Sequence, residues 1–422
     1  MNQGLIGEIT AAIIDYRGKT PPKSASGIKL LTAKVIKDGG VDETRLEYVS
    51  EDTYASWMRR GFPRQWDILL TTEAPLGEIA LLRSPERIAL AQRVILLRGN
   101  PAVVNQLYLF AALRSPLVQG RLRQRATGTT VVGIKQRELR MVEIPLPPLA
   151  TQRKIAGILS AYDDLIENNT RRILLLEEMA QRIYREWFVD FRYPGHENVE
   201  MVASELGPIP EGWTTGRVSD HVDVIRGRSY RGTDVVDTGG VPFINLGCVA
   251  REGGFRPDGI KRYIGEFKEA HKVTAGNIVM AVTDMTQERR IVARAARVPE
   301  LGEGFGVFSM DLVKIDPKDL PGEYVLGLLR YSDFANKVKA HANGANVLHL
   351  HPDRIGDYAT VFPWPEIARR YAKQVAPTQM LSDGLQATNE RLRATRDLLL
   401  PCLVSGVIDV TDLDIVITEP AA

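Results

Sequence analysis

The chain repeats itself at about half its length, and this duplication constrains its fold more than any other feature. Arg17-Gly18-Lys19 is echoed by Arg226-Gly227-Arg228 at an offset of 209. Trp66-Asp67-Ile68-Leu69-Leu70 is echoed by Gly276-Asn277-Ile278-Val279-Met280 at an offset of 210. Thr127-Gly128 matches Asn343-Gly344, Pro147 matches Pro363 and Arg153 matches Arg369, all at 216. Ile166, Ile173 and Ala180 then fall on Leu385, Leu392 and Leu399 at 219. The offset grows in one direction, as small insertions in a doubled chain produce. At 422 residues, two or three domains are expected rather than one core.

Each half reads as a mixed α/β (α+β) domain followed by one long helix. Short apolar runs bounded by Gly, Pro or charge suit strands: 28–32, 66–72, 78–82 and 93–97. Residues 106–124 have helical spacing through Leu107, Leu109, Phe110, Leu113, Leu117 and Val118. A Gly/Thr turn over 127–133 and a Pro-rich exit strand over 144–148 complete the first domain. From Thr151 to about Val189, apolar residues alternate at steps of four and three: Ile155, Leu159, Tyr162, Ile166, Asn169, Ile173, Leu176, Ala180, Ile183 and Trp187. That is the 3.5-residue period of a coiled-coil seam. The second copy is more polar: Thr378, Leu381, Leu385, Thr388, Leu392, Thr395, Leu399 and Cys402, with Thr388 opposite Asn169 in the repeat. A helix-incompatible stretch, Glu205 to Trp213, opens the second domain. The expected segments are therefore 1–150, 151–200, 201–367 and 368–422.

Lys plus Arg total 54 and Asp plus Glu 52, so a uniformly basic nucleic-acid coat protein is excluded while local basic patches are not. Residues 1–150 are the most anion-seeking part, with 21 basic against 14 acidic side chains. Two cysteines, Cys248 and Cys402, are too few for a disulfide framework, and a reducing cytoplasm is the expected compartment. No window approaches the roughly 18 consecutive apolar residues of a membrane span. The N-terminal residues carry no basic stretch ahead of an apolar run, so no signal peptide is expected.

Catalytic signatures are missing. There is no phosphate-binding Gly-x-x-x-x-Gly-Lys-Ser/Thr loop, no Gly-x-Ser-x-Gly elbow, no Asn/Asp-Pro-Pro-Tyr stretch of an amino-methyltransferase and no cysteine set for zinc. His341, His349 and His351 form the one histidine cluster; a polar loop is the favoured reading over a metal site. The chain reads as a binder and scaffold, not an enzyme.

Two similar domains spaced by rods suit a split target. A helix of about 30 residues spans roughly 45 Å, and adjacent major-groove faces of B-DNA recur about every 34–36 Å. The candidate DNA-binding residues lie in polar turns at matching places. In the first copy they are Arg17, Lys19, Thr20, Thr71, Thr72, Thr127, Thr129, Thr130 and Lys135. In the second they are Arg226, Arg228, Tyr230, Arg231, Thr283, Asn343, Asn346 and His349. Arg and Lys suit guanine edges and phosphates, Asn suits adenine, and Thr suits either partner or the thymine methyl. For Arg121, Arg123 and Arg125, phosphate contact and a solvated face both remain open.

The chain resembles the specificity (S) subunits of type I restriction–modification enzymes nearly end to end. The resemblance is carried by residues 66–77 (Trp66-Asp-Ile-Leu-Leu-Thr-Thr-Glu-Ala-Pro-Leu-Gly77), 144–155 (Ile144-Pro-Leu-Pro-Pro-Leu-Ala-Thr-Gln-Arg-Lys-Ile155), 168–172, 204–213 and 398–406, in that order. It implies two target recognition domains in pseudo-twofold repeat, separated by two long antiparallel coiled-coil helices. It further implies that each domain reads one half of a bipartite double-stranded DNA site, that the helices dock two methyltransferase subunits, and that the assembly recruits restriction/translocase subunits. S-adenosylmethionine, ATP and Mg²⁺ then belong to the partners and not to this chain. The second copy departs from the first: Met280-Ala-Val-Thr-Asp-Met-Thr stands against Leu70-Thr-Thr-Glu-Ala-Pro-Leu, and Val361-Phe-Pro-Trp-Pro lacks the Pro-Pro-Leu of the first exit. A structural adaptor that binds only protein is the competing class.

Overall fold

The computed structural model describes residues 2–16, 20–37, 39–128 and 130–415. They form two compact units. Unit 1 joins Met1–Asn168 to Asn389–Ala422, and unit 2 is Asn169–Thr388. The boundary runs through the middle of both long helices, Leu149–Phe188 and Pro365–Ser405, whereas sequence spacing puts the divisions near the helix starts. Each unit thus contains one mixed domain and one half of each helix.

In unit 1 a four-stranded antiparallel sheet has the spatial order Thr10–Asp15, Val94–Gly99, Ile68–Thr72, Leu76–Leu81. Its central strands are apolar at successive positions because both faces are covered. Along one strand, Val94 and Leu96 enter one core while Ile95 and Leu97 enter the other. A three-stranded sheet of Glu47–Val49, Ile28–Leu31 and Ile88–Leu90 covers the first face. Helices cover the second, including Ile155, Leu159, Leu400, Leu403 and Val404 of the long pair.

The single helix expected over 106–124 is two helices, Gln106–Arg114 and Pro116–Gln124. Ser115 is extended at ψ 145°, the conformation a residue before proline prefers. Its hydroxyl accepts from the Val118 N–H at 3.4 Å and caps the second helix, while Asn105 caps the first by accepting from the Tyr108 N–H at 3.0 Å.

Unit 2 repeats the plan with the order Val222–Arg226, Leu312–Pro317, Ile278–Ala281, Ala295–Arg297. Val279 and Ala281 face one core and Ile278 and Met280 the other. A five-stranded sheet lies over the first face. The second carries helix Gly322–Tyr331 and an aromatic cluster in which Phe188 lies 4.8 Å from Tyr324 and 5.1 Å from Tyr371.

The long helices run antiparallel within each unit. In unit 1 Arg396 reaches Asp163 and Asn389 reaches Ile166, so numbers fall on one helix as they rise on the other. The expected seam holds on the first helix, where Ile155, Leu159, Ile166, Asn169, Ala180 and Trp187 are buried. On the second helix it is corrected. Leu381, Thr388 and Thr395 are exposed, and the buried residues are Tyr371, Val375, Leu385, Asn389, Arg396, Leu400 and Leu403.

Burial aligns the two helices at the single offset of 216, pairing Ile155 with Tyr371, Asn169 with Leu385, Ala180 with Arg396 and Trp187 with Leu403. The match of Asn169 to Thr388 therefore fails, and the Thr388 hydroxyl donates to the Gly384 carbonyl at 2.8 Å instead. The physical reason is that two residues of surface type are buried by specific bonds. Asn389 Nδ2 donates to the Ile166 carbonyl at 3.4 Å, and Arg396 Nη1 donates to Asp163 at 2.6 Å.

Candidate nucleic-acid interface

In unit 1, strand Ile68–Thr72 runs into Glu73, which bridges to Gly133. Thr127 and Gly133 exchange two backbone hydrogen bonds of 2.8 and 3.0 Å, and the Ile134 N–H donates to the Thr72 carbonyl at 2.9 Å. The turn is therefore a closed loop pinned to the strand end. Gly128 makes it possible: its φ is +122°, and a Cβ there would lie 2.1 Å from the Val131 carbonyl oxygen. Thr127, Thr130, Val131, Val132 and Lys135 are exposed on this loop and its exit.

Unit 2 builds the same device with different side chains. Thr283 pairs with His349 and Asp284 with Leu348, while Asn343 and His349 exchange hydrogen bonds of 3.0 and 2.8 Å. Gly344, at φ +151°, occupies the place of Gly128, and a Cβ on it would meet the Val347 carbonyl oxygen at 1.9 Å. Asn343, Asn346 and His349 are exposed. Arg226, at the end of its strand, brings Nη2 within 3.3 Å of His351 Nε2, and His351 Nδ1 lies 3.2 Å from Asp353.

The basic turn after Arg226 is held by backbone bonds. The Arg228 N–H donates to the Phe308 carbonyl and its own carbonyl accepts from the Met310 N–H, both at 2.8 Å. The Arg228 side chain is half-buried. Tyr230 packs edge-on against Phe243 with centroids 4.9 Å apart, and burial, together with the Asp311 carboxylate, pushes its hydroxyl above the usual range. Arg231 and Thr20 are exposed.

Three expected contacts are corrected. Thr71, Thr72 and Thr283 are buried, because they belong to strand ends covered on both sides. The Thr71 hydroxyl already accepts from the Glu78 N–H at 2.9 Å. All three side chains are packed inside the strands that carry the loops, not displayed on the loop surface. Arg17, Lys19 and Thr129 lie outside the described residues. Of the three arginines left open, Arg121 donates to Gln3 and to the Glu143 carbonyl at 2.8 Å each and Arg125 pairs with Glu138 at 3.4 Å, while Arg123 is exposed.

Sequence reasoning missed the loop after Thr283. Gln287 Nε2 donates to the Ala345 carbonyl at 2.9 Å and Arg289 to the Ala342 carbonyl at 3.2 Å, tying residues 285–290 to the Asn343–His349 loop. The signal was present in the repeat, whose offset rises from 210 to 216 across this stretch. Among the described residues no group of three or more His, Cys, Asp or Glu is placed to hold a metal ion, and no helix is long and apolar enough to cross a membrane.

Comparison with known proteins agrees with this architecture. The family model for the type I restriction modification DNA specificity domain matches residues 60–178. The MjaIX specificity subunit of Methanocaldococcus jannaschii is 26% identical over 377 residues, covering 86% of this chain and 82% of that one. The EcoBI specificity subunit of Escherichia coli is 27% identical over 192 residues, 42% of this chain and 39% of its own. The crystal structure of a type I restriction-modification system S subunit from M. genitalium shares the fold, with a TM-score of 0.57 at 15% identity and 96% of each chain covered. By its repeated architecture and these likenesses, the chain is similar along most of its length to type I restriction–modification specificity subunits, and its residues 60–178 match their DNA specificity domain.

Proposed function

We propose that this chain is the non-catalytic DNA-reading subunit of its complex, with each unit reading one half of a bipartite double-stranded site. The observation that carries this is the pair of loops built on Gly128 and Gly344. Their backbone design is the same, yet one exposes Thr127, Thr130 and Lys135 and the other Asn343, Asn346 and His349. A common scaffold with different donor and acceptor sets is what two readers of unlike sequences require. The candidate contacts are these residues together with Thr20, Arg226, Arg228, Tyr230 and Arg231; Arg17, Lys19 and Thr129 complete the set from sequence.

The long helices are proposed to dock two methyltransferase subunits. Leu165, Leu174, Leu175 and Met179 on the first and Met380, Leu381 and Leu398 on the second are exposed apolar residues on otherwise polar surfaces. Restriction/translocase subunits would join that assembly. S-adenosylmethionine, ATP and Mg²⁺ would be bound by those partners.

The test is selection of duplexes from a random pool by the full chain with its methyltransferase partner. One bipartite sequence should emerge. Exchanging residues 1–150 for those of a relative should change one half of it. Recovery of random duplexes, or a change in both halves, refutes the reading.

A further inference from the structure

In unit 1 the link from strand Ile68–Thr72 to strand Leu76–Leu81 is short. In unit 2 the corresponding link runs from Thr283–Asp284 to Ala295–Arg297. Register locates the difference. Ile68 pairs with Leu81 as Ile278 pairs with Arg297, so the offset is 210 before the link and 216 after it. The extra residues of the second copy fall at the edge that carries the candidate reading loop.

The inserted segment is anchored. Asp284 is 2% exposed, and its Oδ1 accepts from the Thr286 N–H and hydroxyl at 2.8 Å each. Its Oδ2 accepts from the Ile291 N–H at 2.9 Å. Burial pushes this carboxyl up, but the donors from Ile291, Thr286 and Val292 outweigh it and hold it below the usual range. One carboxylate thus clamps both ends of the loop, and Gln287 and Arg289 tie its middle to the carbonyls of Ala345 and Ala342. The clamp leaves Met285, Thr286, Glu288 and Arg290 at the surface, with Met285 67% exposed. An anchored polar loop that presents a thioether to solvent spends stability to keep that group outside a core. Beside base-reading residues, such a group fits the 5-methyl of thymine, and Arg290 fits a guanine edge or phosphate.

We propose that the Met285–Arg290 loop is an additional base-reading element of unit 2, without counterpart in unit 1, and that Asp284 is its positioning residue. This rests on the DNA-reading function proposed above. The full chain, assembled with its methyltransferase subunits, is tested on the selected bipartite duplex and on a set with single base-pair changes in each half. Met285→Ala is expected to lose about tenfold discrimination at one position in the half-site of unit 2, and thymine-to-uracil replacement there should reproduce the loss. Arg290→Ala should weaken the same half-site. Asp284→Asn should relax the same positions together and leave the profile of the other half as in the wild type, an outcome general unfolding cannot produce. If Asp284→Asn does not fold, the two exposed-loop variants decide.

An unchanged profile for both exposed-loop variants, with the wild type still selecting a bipartite site, overturns the loop's role. Loss spread equally over both halves in Asp284→Asn overturns the positioning role. Failure of the wild type to select any bipartite site counts against the DNA-reading function itself.

Discussion

Asp163 on the first long helix accepts from Arg396 on the second at 2.6 Å and from Arg114 of the mixed domain at 2.8 Å. No side chain of the three is more than 14% exposed. Offset by 216, the corresponding places in unit 2 hold Gln379 for Asp163, Ala180 for Arg396 and Arg330 for Arg114. A cavity of about 110 Å³ lies there, lined by Ala180, Gln379, Arg330 and Glu177, where the matching gap in unit 1 is about 10 Å³. The methyl of Ala180 in place of the Arg396 guanidinium and Leu326 in place of Phe110 both leave space that unit 1 fills.

Asp163→Ala takes from Arg114 its carboxylate partner and leaves Arg396 only the more exposed Asp397 at 2.8 Å, and is expected to cost unit 1 about 3 kcal/mol. Glu177→Ala removes a contact 3.4 Å from Arg330 at a side chain 40% exposed, and should cost under about 1 kcal/mol. Denaturant titration of the two variants beside the wild type checks the ranking; equal losses contradict it.

Gly128→Ala and Gly344→Ala place a Cβ against a carbonyl oxygen at a backbone conformation that L side chains rarely adopt. Each should cost about 1–3 kcal/mol of local strain and blur only its own half-site. Base-preference profiles should show the loss for Gly128→Ala confined to one half-site and that for Gly344→Ala confined to the other; loss in both halves for either variant contradicts this.

Inserting seven helix-forming residues after Asn168 and seven after Thr388 keeps the seam in phase and adds about 10.5 Å to each helix. The preferred spacer should lengthen by about three base pairs. Selection with an unaltered spacer would show that the helices do not set it.

Lys135→Ala and Arg231→Ala alter exposed cations. Each is expected to weaken binding about uniformly over sequences and to lower the slope of log affinity against log salt by about one. A sequence-specific loss at constant slope would instead assign that residue to a base edge.

The duplication, the paired helices and the two turns were legible because they rest on period and on glycine. Gly128 and Gly344 mark backbone geometry that few other residues adopt, so their match at 216 carried structural information. The second helix seam was misplaced because Asn389 and Arg396 look like surface residues, and only a partner on the other helix reveals why they are buried. Thr71 and Thr283 misled in the opposite sense: a hydroxyl in a polar motif reads as a contact until the covering layers are in view. The inserted loop was overlooked because its anchor, Asp284, is an ordinary residue in sequence and acts through bonds to Thr286 and Ile291.

Unit 1 is assembled from both ends of the chain, with Leu400, Leu403, Val404 and Val410 completing the core around Ile155 and Leu159. On the ribosome its apolar face stays open while the 220 residues of unit 2 are made, an interval of about 10–45 s at ~5–20 residues per second. Unit 2, continuous in sequence, can close first. A nascent chain cut short before residue 400 therefore carries a finished unit 2 and an unsealed unit 1, so proteolytic surveillance of early termination would act on the N-terminal domain.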